Sequence, residues 1–158
     1  MTEPNDYDVD ALLDQVGFES DRSVLTRRQA EVLAQRERDI PQATIAKRLG
    51  TSRANVSSIE ASARANVEKA RETIGFAEAL NAPVRVDVVA GTDLYDIPSR
   101  VYAACDDADV KVNQTAPELM KSVSDAAGDA VNGREVKRDL LVGITMDGVV
   151  RVRRQEID

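Results

Sequence analysis

The sequence predicts an α+β protein, in which an all-α N-terminal domain with a long trailing helix precedes a small domain of order β-α-β-α-β-β. Apolar residues recur at three- and four-residue spacing between Leu25 and Ile74, which is typical of helices. From Val84 onward, β-branched runs alternate with helical patterns, and Asp147-Gly148 separates two of these runs as in a β-hairpin. A chain of 158 residues, 42% of them hydrophobic, can bury a core in one domain or in two small ones.

The composition excludes several classes of chemistry. The chain contains no His and a single Cys, Cys105, so it lacks the residues for His-dependent catalysis, imidazole or Cys₄ zinc sites and internal disulfides. No apolar run approaches the roughly 18 residues that cross a bilayer, and the acidic N-terminus is unlike a secretory signal. We therefore expect a soluble, cytoplasmic protein that is not an enzyme, with no catalytic residues, no metal, no cofactor and no membrane partner. Cys105 is expected in the core.

Charge is distributed unevenly along this acidic chain. Residues 1–21 hold seven acidic residues and no basic residue, residues 22–72 hold 11 basic and 6 acidic residues for a net +5, and residues 73–158 hold 10 and 15 for a net −5. The first segment is expected to be a loosely packed arm with a short turn of helix around Val9–Val16. The expected parts are an acidic flexible arm at residues 1–21, a helix-turn-helix domain at residues 22–80, and a small α+β domain of regulatory or oligomerisation function at residues 84–154.

Two helices are predicted at the start of the basic segment. Thr26 followed three positions later by Gln29 forms a capping-box pattern, which predicts a first helix from about Arg27 to Arg38. Pro41 suits the first turn of a second helix, and Gly50 supplies a residue that can adopt a positive φ where that helix ends.

A third and longer helix follows. Thr51-Ser52 offers an N-cap before Arg53, and the apolar stripe that follows continues to Ile74. This stripe is longer than one small domain needs, which favours a homodimer. The alternative is that the stripe packs against the second domain.

The turn between the second and third helices has helix-turn-helix character, which places the start of the third helix in the major groove of double-stranded DNA. Arg53 can donate two hydrogen bonds to guanine and Asn55 can pair with adenine, whereas short side chains let the backbone approach. The alternative is that Arg53 and Asn55 are ordinary solvated or capping residues. The expected base-contacting residues are Arg53, Ala54, Asn55, Ser57 and Ser58.

Phosphate contacts are expected from the second helix and from the capped helix starts, whose N–H groups favour anions. Such contacts set the position of the protein on the duplex and carry no sequence information. The expected backbone-contacting residues are Gln42, Thr44, Lys47, Arg48 and Ser52.

A family resemblance adds to this interpretation. Residues 25–74, LTRRQAEVLAQRERDIPQATIAKRLGTSRANVSSIEASARANVEKARETI, resemble the helix-turn-helix of sigma-factor region 4 and of response-regulator output domains, and resemble still more closely the archaeal Tfx family of DNA-binding transcriptional regulators. The later stretches GTDLYDIPSRVY, PELM and LxVGITxDG resemble the second domain of that family. The resemblance covers about residues 22–154 and implies sequence-specific promoter binding by the helix that starts at Arg53. The predominance of Asp over Glu and of Arg over Lys resembles proteins of halophilic archaea.

The second half predicts a four-stranded mixed sheet with helices on one face. Its predicted elements are a strand at 84–89, a helix opening at Pro98, a short strand at 110–112, a helix beginning at Thr115 or Pro117, and strands at 140–145 and 149–153. Gly91-Thr92-Asp93 is expected to be an ordinary turn, and Tyr95 and Tyr102 are expected to be half-buried. This half of the chain can bind an effector, a second subunit or the transcription machinery, and an alternative function is a metabolite-sensing or polymerase-docking module in residues 84–154.

Overall fold

The computed structural model describes residues 8–155 and confirms the α+β fold. The chain divides into two compact units, one ending at Glu72 and the other beginning at Thr73. The helices are α1 Val9–Gln15, α2 Arg27–Arg36, α3 Gln42–Leu49, α4 Arg53–Asn81, α5 Ile97–Asp107 and α6 Ala116–Ala127. The strands are β1 Val84–Val88, β2 Val131–Asn132, β3 Glu135–Val136, β4 Leu140–Ile144 and β5 Val150–Arg154.

The start of α2 follows the predicted capping box. The amide of Gln29 donates to the Thr26 hydroxyl at 3.1 Å, and the Gln29 side chain accepts from the Thr26 amide at 3.0 Å. The regular helix ends at Arg36, two residues earlier than predicted, because Asp39 adopts a φ of 58° and turns the chain toward α3.

The helix-turn-helix core is small and aliphatic. Its buried residues come from α2, the α2–α3 turn, α3 and α4, and they are Val32, Ile40, Ile45, Ala46 and Val56. Gly50 has a φ of 67°, as expected of the residue that ends α3. The amide of Asn55 donates to the Ser52 hydroxyl at 3.1 Å, so Ser52 caps α4. From Arg53, α4 is unbroken to Asn81, seven residues beyond the predicted end, and it passes through the division between the two units.

The acidic N-terminal segment is more ordered than expected where the structure describes it. The predicted short helix is present as α1, with Asp8 accepting a hydrogen bond from the Ala11 amide at 3.0 Å. A loosely packed arm does not describe this helix, because Leu13 is buried and Asp10 forms a 2.6 Å ion pair with Arg27 of α2. Residues 1–7 lie outside the described residues.

The second unit contains a three-stranded antiparallel sheet in the order β1-β4-β5, rather than the predicted four-stranded mixed sheet. Val86 pairs with Val142, which pairs with Val152 on its other side. Helices α5 and α6 pack on one face of the sheet, where Ile97 and Leu119 are fully buried.

The predicted strand at 110–112 is absent for a physical reason. The amide of Val110 donates to the Cys105 carbonyl at 2.9 Å and closes α5, and the Asn113 amide and side chain donate to the carbonyls of Gly148 and Asp147. These contacts tie the segment to α5 and to the β4–β5 turn, so it does not join the sheet. The structure instead contains the unpredicted β2–β3 hairpin, whose turn residues are Gly133, with a φ of 61°, and Arg134.

Three smaller expectations have mixed outcomes. Cys105 is buried as expected, and burial raises the pKa of its thiol. Tyr102 is half-buried and donates to the Gln114 carbonyl, whereas the prediction for Tyr95 is wrong, because that ring is 58% exposed. Asp93 forms the expected local turn by accepting from the Tyr95 amide at 2.9 Å.

Among the described residues, no helix is long and apolar enough to cross a membrane, and no group of His, Cys, Asp and Glu side chains suits a metal ion.

Candidate nucleic-acid interface

The first turns of α4 present two different sides. Val56, Glu60 and Ala63 are buried on the side that packs in the first unit. At 100° per residue, Ala54 and Ser58 lie on the opposite side and Ser57 lies next to them at its edge, and all three are exposed. Because these exposed side chains are small and uncharged, the backbone of α4 can closely approach the floor of a groove.

Arg53 and Asn55 stand on either flank of this small-residue side, and both are exposed. The Arg53 side chain forms no hydrogen bond or ion pair with another residue in the described range 8–155, so its five N–H donors remain available. Asn55 is held at the helix start, since its side-chain amide donates to the Thr51 hydroxyl oxygen at 2.9 Å. The five expected base-contacting residues therefore share one accessible helix end.

Of the five expected phosphate-contacting residues, three are exposed and two are half-buried. Lys47 and Ser52 are exposed, and Ser52 uses its hydroxyl as an acceptor in the α4 cap. Arg48 is exposed and donates to the Gln35 side-chain oxygen at 3.2 Å, while Thr44 is half-buried in the first turn of α3. The Gln42 side chain is turned to the protein, because its amide donates to Glu60 at 3.1 Å.

Glu60 is the residue of this region that the sequence analysis does not identify. It is buried on α4, and its carboxylate accepts hydrogen bonds from Arg36 Nε at 2.7 Å, Gln42 Nε2 at 3.1 Å and Arg64 Nε at 3.2 Å. Burial raises the pKa of Glu60, but the hydrogen bonds from Gln42, Arg64 and Arg36 outweigh it, so the pKa lies below its ordinary value. The signal was an acidic residue on the same helical stripe as Val56 and Ala63.

Two family models together match most of the chain. Residues 21–69 match the model described as sigma-70, region 4, and residues 70–152 match the model described as the C-terminal part of the DNA-binding protein TFX. The first match contains α2, α3 and the N-terminal part of α4, and the second contains α5, α6, β1, β4 and most of β5.

Named relatives match over nearly their whole length. A protein of Haloarcula marismortui named "Putative transcriptional regulatory protein" is 57% identical over 96% of this chain and 95% of its own. A protein of Methanocaldococcus jannaschii with the same description is 36% identical over 80% of this chain and 92% of its own. The DNA-binding protein Tfx of Methanothermobacter thermautotrophicus is 36% identical over 84% of this chain and 96% of its own. The resemblance inferred from the motifs is thus confirmed, and the chain belongs to the Tfx family of DNA-binding proteins.

Proposed function

We propose that this protein is a sequence-specific DNA-binding transcriptional regulator that reads promoter DNA with the N-terminal end of α4. One observation carries the proposal: a capped helix start after the Gly50 turn presents an unpaired Arg53 beside small, exposed side chains. This arrangement suits insertion of a helix into the major groove. The protein acts by binding and not by catalysis, and a promoter-binding role implies a cytoplasmic protein.

Base recognition divides among the five residues by their chemistry. Arg53 donates two hydrogen bonds to O6 and N7 of a guanine, and Asn55 pairs with N6 and N7 of an adenine. Ala54 contacts a thymine methyl group. Ser57 and Ser58 allow the close approach and offer hydroxyls to either base type.

Phosphate contacts position the helix on the duplex. Lys47 and Arg48 supply charge from the last turn of α3, and the Thr44 and Ser52 hydroxyls lie near the two helix starts. Because the Gln42 side chain donates its hydrogen bond to Glu60, Gln42 contacts phosphate through its backbone amide in the first turn of α3.

Selection of binding sites from a pool of random duplexes in concentrated KCl tests this function. The parent protein is expected to enrich a single motif, and Arg53→Ala and Asn55→Ala are expected to weaken binding to it. Absence of any enriched motif, at low and at high salt, would overturn the proposal. That result would favour the alternative of a metabolite-sensing or polymerase-docking module carried by residues 84–154.

We further propose that the protein binds as a homodimer. The part of α4 that lies in the second unit exposes Phe76 and Leu80, which lie one turn apart on the same face of the helix, each at more than half of its full accessible surface. A second copy packed on this face would cover these side chains. In a symmetric dimer the two recognition helices read half-sites about 34 Å apart, one turn of the duplex.

Light scattering tests the dimer with a matched pair of variants. Phe76→Glu is expected to give a monomer, whereas Val89→Glu, at a similarly exposed position beyond β1, is expected to leave the dimer intact. A monomeric parent protein, or an enriched motif without two-fold symmetry, would contradict the dimer and leave the DNA-binding function standing.

A further inference from the structure

We propose that Glu60 is a positioning residue, which holds the DNA-reading end of α4 in register with α2 and α3. The inference rests on the proposed function and adds to it a buried residue further along α4, which makes no proposed contact with DNA. Glu60 is 8% exposed, and every polar contact that it makes among the described residues connects it to a defined element of the first unit.

The contacts of Glu60 come from three helices. Its Oε1 atom accepts from Arg36 near the end of α2 and from Gln42 at the start of α3, and its Oε2 atom accepts from Arg64 one turn further along α4. Arg36 also donates to the carbonyl of Ile40 at 3.1 Å, which ties the same network to the α2–α3 turn.

A buried carboxylate constrains geometry more strictly than the apolar side chains around it. A charge removed from water is costly unless donors satisfy it, so the three donors must keep their distances and directions to Glu60. Val56 and Ala63, the buried neighbours on the same side of α4, make contacts without directional preference. The angle of α4 relative to α2 and α3 is therefore set by Glu60.

Small errors in that angle are amplified at the helix end. Arg53 lies seven residues before Glu60, or about 10 Å along the helix axis. A tilt of about 6° at Glu60 thus moves the start of the helix by about 1 Å, which is enough to disturb hydrogen bonds to a base edge. Nonspecific attraction to phosphates depends on charge and is far less sensitive to such a shift.

Glu60→Gln tests the proposal, with Glu37→Gln as its matched control. Both substitutions remove one negative charge from the first unit, but Glu37 is exposed and lies 3.6 Å from Arg64 at the edge of the network. The probes are the duplex enriched in the selection experiment and a duplex of the same base composition in scrambled order. Helix content by circular dichroism and affinity for both probes are measured with the full-length protein.

Glu60→Gln is expected to lower affinity for the enriched duplex by about tenfold, the cost of one misplaced base contact, and to leave affinity for the scrambled duplex within about twofold. Helix content and the Glu37→Gln affinities are expected to match the parent. A merely stabilising role would lower affinity for both duplexes equally, or for neither, and either result would overturn the proposal. In each case specific binding by the parent protein would still stand, so the proposed function is tested separately.

Gln42→Ala provides a second, milder variant if Glu60→Gln fails to fold. Loss of the 3.1 Å hydrogen bond to Glu60 is expected to reduce the ratio of specific to nonspecific affinity. If the Gln42 side chain instead contacted phosphate, the variant would weaken binding to both duplexes alike, and that outcome would contradict the proposal.

Discussion

Thr51 and Asn55 are joined across the first turn of α4, where Asn55 Nδ2 donates to Thr51 Oγ1 at 2.9 Å. The bond uses one of the two amide hydrogens and fixes the plane of the side chain. The other hydrogen and the Oδ1 atom remain for a bidentate pair with adenine. If Asn55 reads a base as proposed, a side chain oriented before binding loses less conformational entropy in the complex.

This relationship predicts a graded effect of two substitutions. Asn55→Ala is expected to cost about 1–3 kcal/mol of discrimination at one base position, because the proposed bidentate pair with adenine is lost. Thr51→Val is expected to weaken the same discrimination less, because Asn55 is kept and only its orientation is released. Competition binding against single-base variants of the enriched duplex measures both effects. An equal loss at every base position would contradict a specific contact by Asn55.

Substitutions of Arg53 and of Lys47 are expected to have different kinds of effect on DNA binding. Arg53→Ala should relax the preference at one base position, because the arginine is proposed to read a base edge. Lys47→Ala should weaken binding to all duplexes alike and reduce the slope of log K against log salt by about one, because the lysine is proposed to neutralise a phosphate. Titrations of the enriched and scrambled duplexes over a range of KCl concentrations distinguish the two effects. A change of base preference in Lys47→Ala would contradict its assignment.

Gly148, in the β4–β5 turn, is predicted to tolerate substitution less well than Gly133. Its φ is 80°, and a Cβ there would overlap the carbonyl oxygen of Lys111. Gly133, in the β2–β3 turn, has a φ of 61° and open space around the added carbon. Gly133→Ala should therefore cost about 1–2 kcal/mol for the backbone conformation alone, and Gly148→Ala should cost more because the segment 110–113 must also move. Urea unfolding of the two variants checks this order, and equal costs would refute it.

Local sequence signals predicted the helix-turn-helix well. The capping box at Thr26, the cap at Ser52 and the glycine at position 50 each act within a few residues of the chain, and all three are present in the structure. Their contacts depend on neighbours in sequence, which is why spacing alone reveals them.

Features that depend on distant partners were harder to predict. Residues 110–112 have the composition of a strand, but the conformation of this segment depends on the contacts of the next residue, Asn113, with the turn at 147–148, which is far away in sequence. The β2–β3 hairpin was missed although Asn132-Gly133 is a turn signal, because each strand is only two residues long. The Glu60 network joins helices through side chains, and no spacing rule relates Arg36 or Gln42 to Glu60.

The same network predicts how acid destabilises the first unit. Because the pKa of Glu60 is lowered in the folded protein, its contribution to stability is present above the pKa of the unfolded state and is lost as the pH falls through the folded value. In an unfolded chain a Glu side chain titrates at about 4.3, so the loss is expected below about pH 4.5. Asp93 and Glu118, whose pKa values are lowered by hydrogen bonds from Arg134 and Thr115, remain in a Glu60→Gln variant. The free energy of unfolding should therefore fall less steeply with acid in Glu60→Gln than in the parent or in Glu37→Gln. Urea unfolding at a series of pH values measures these slopes, and identical slopes in all three proteins would show that the Glu60 carboxylate is not held in its charged form by the fold.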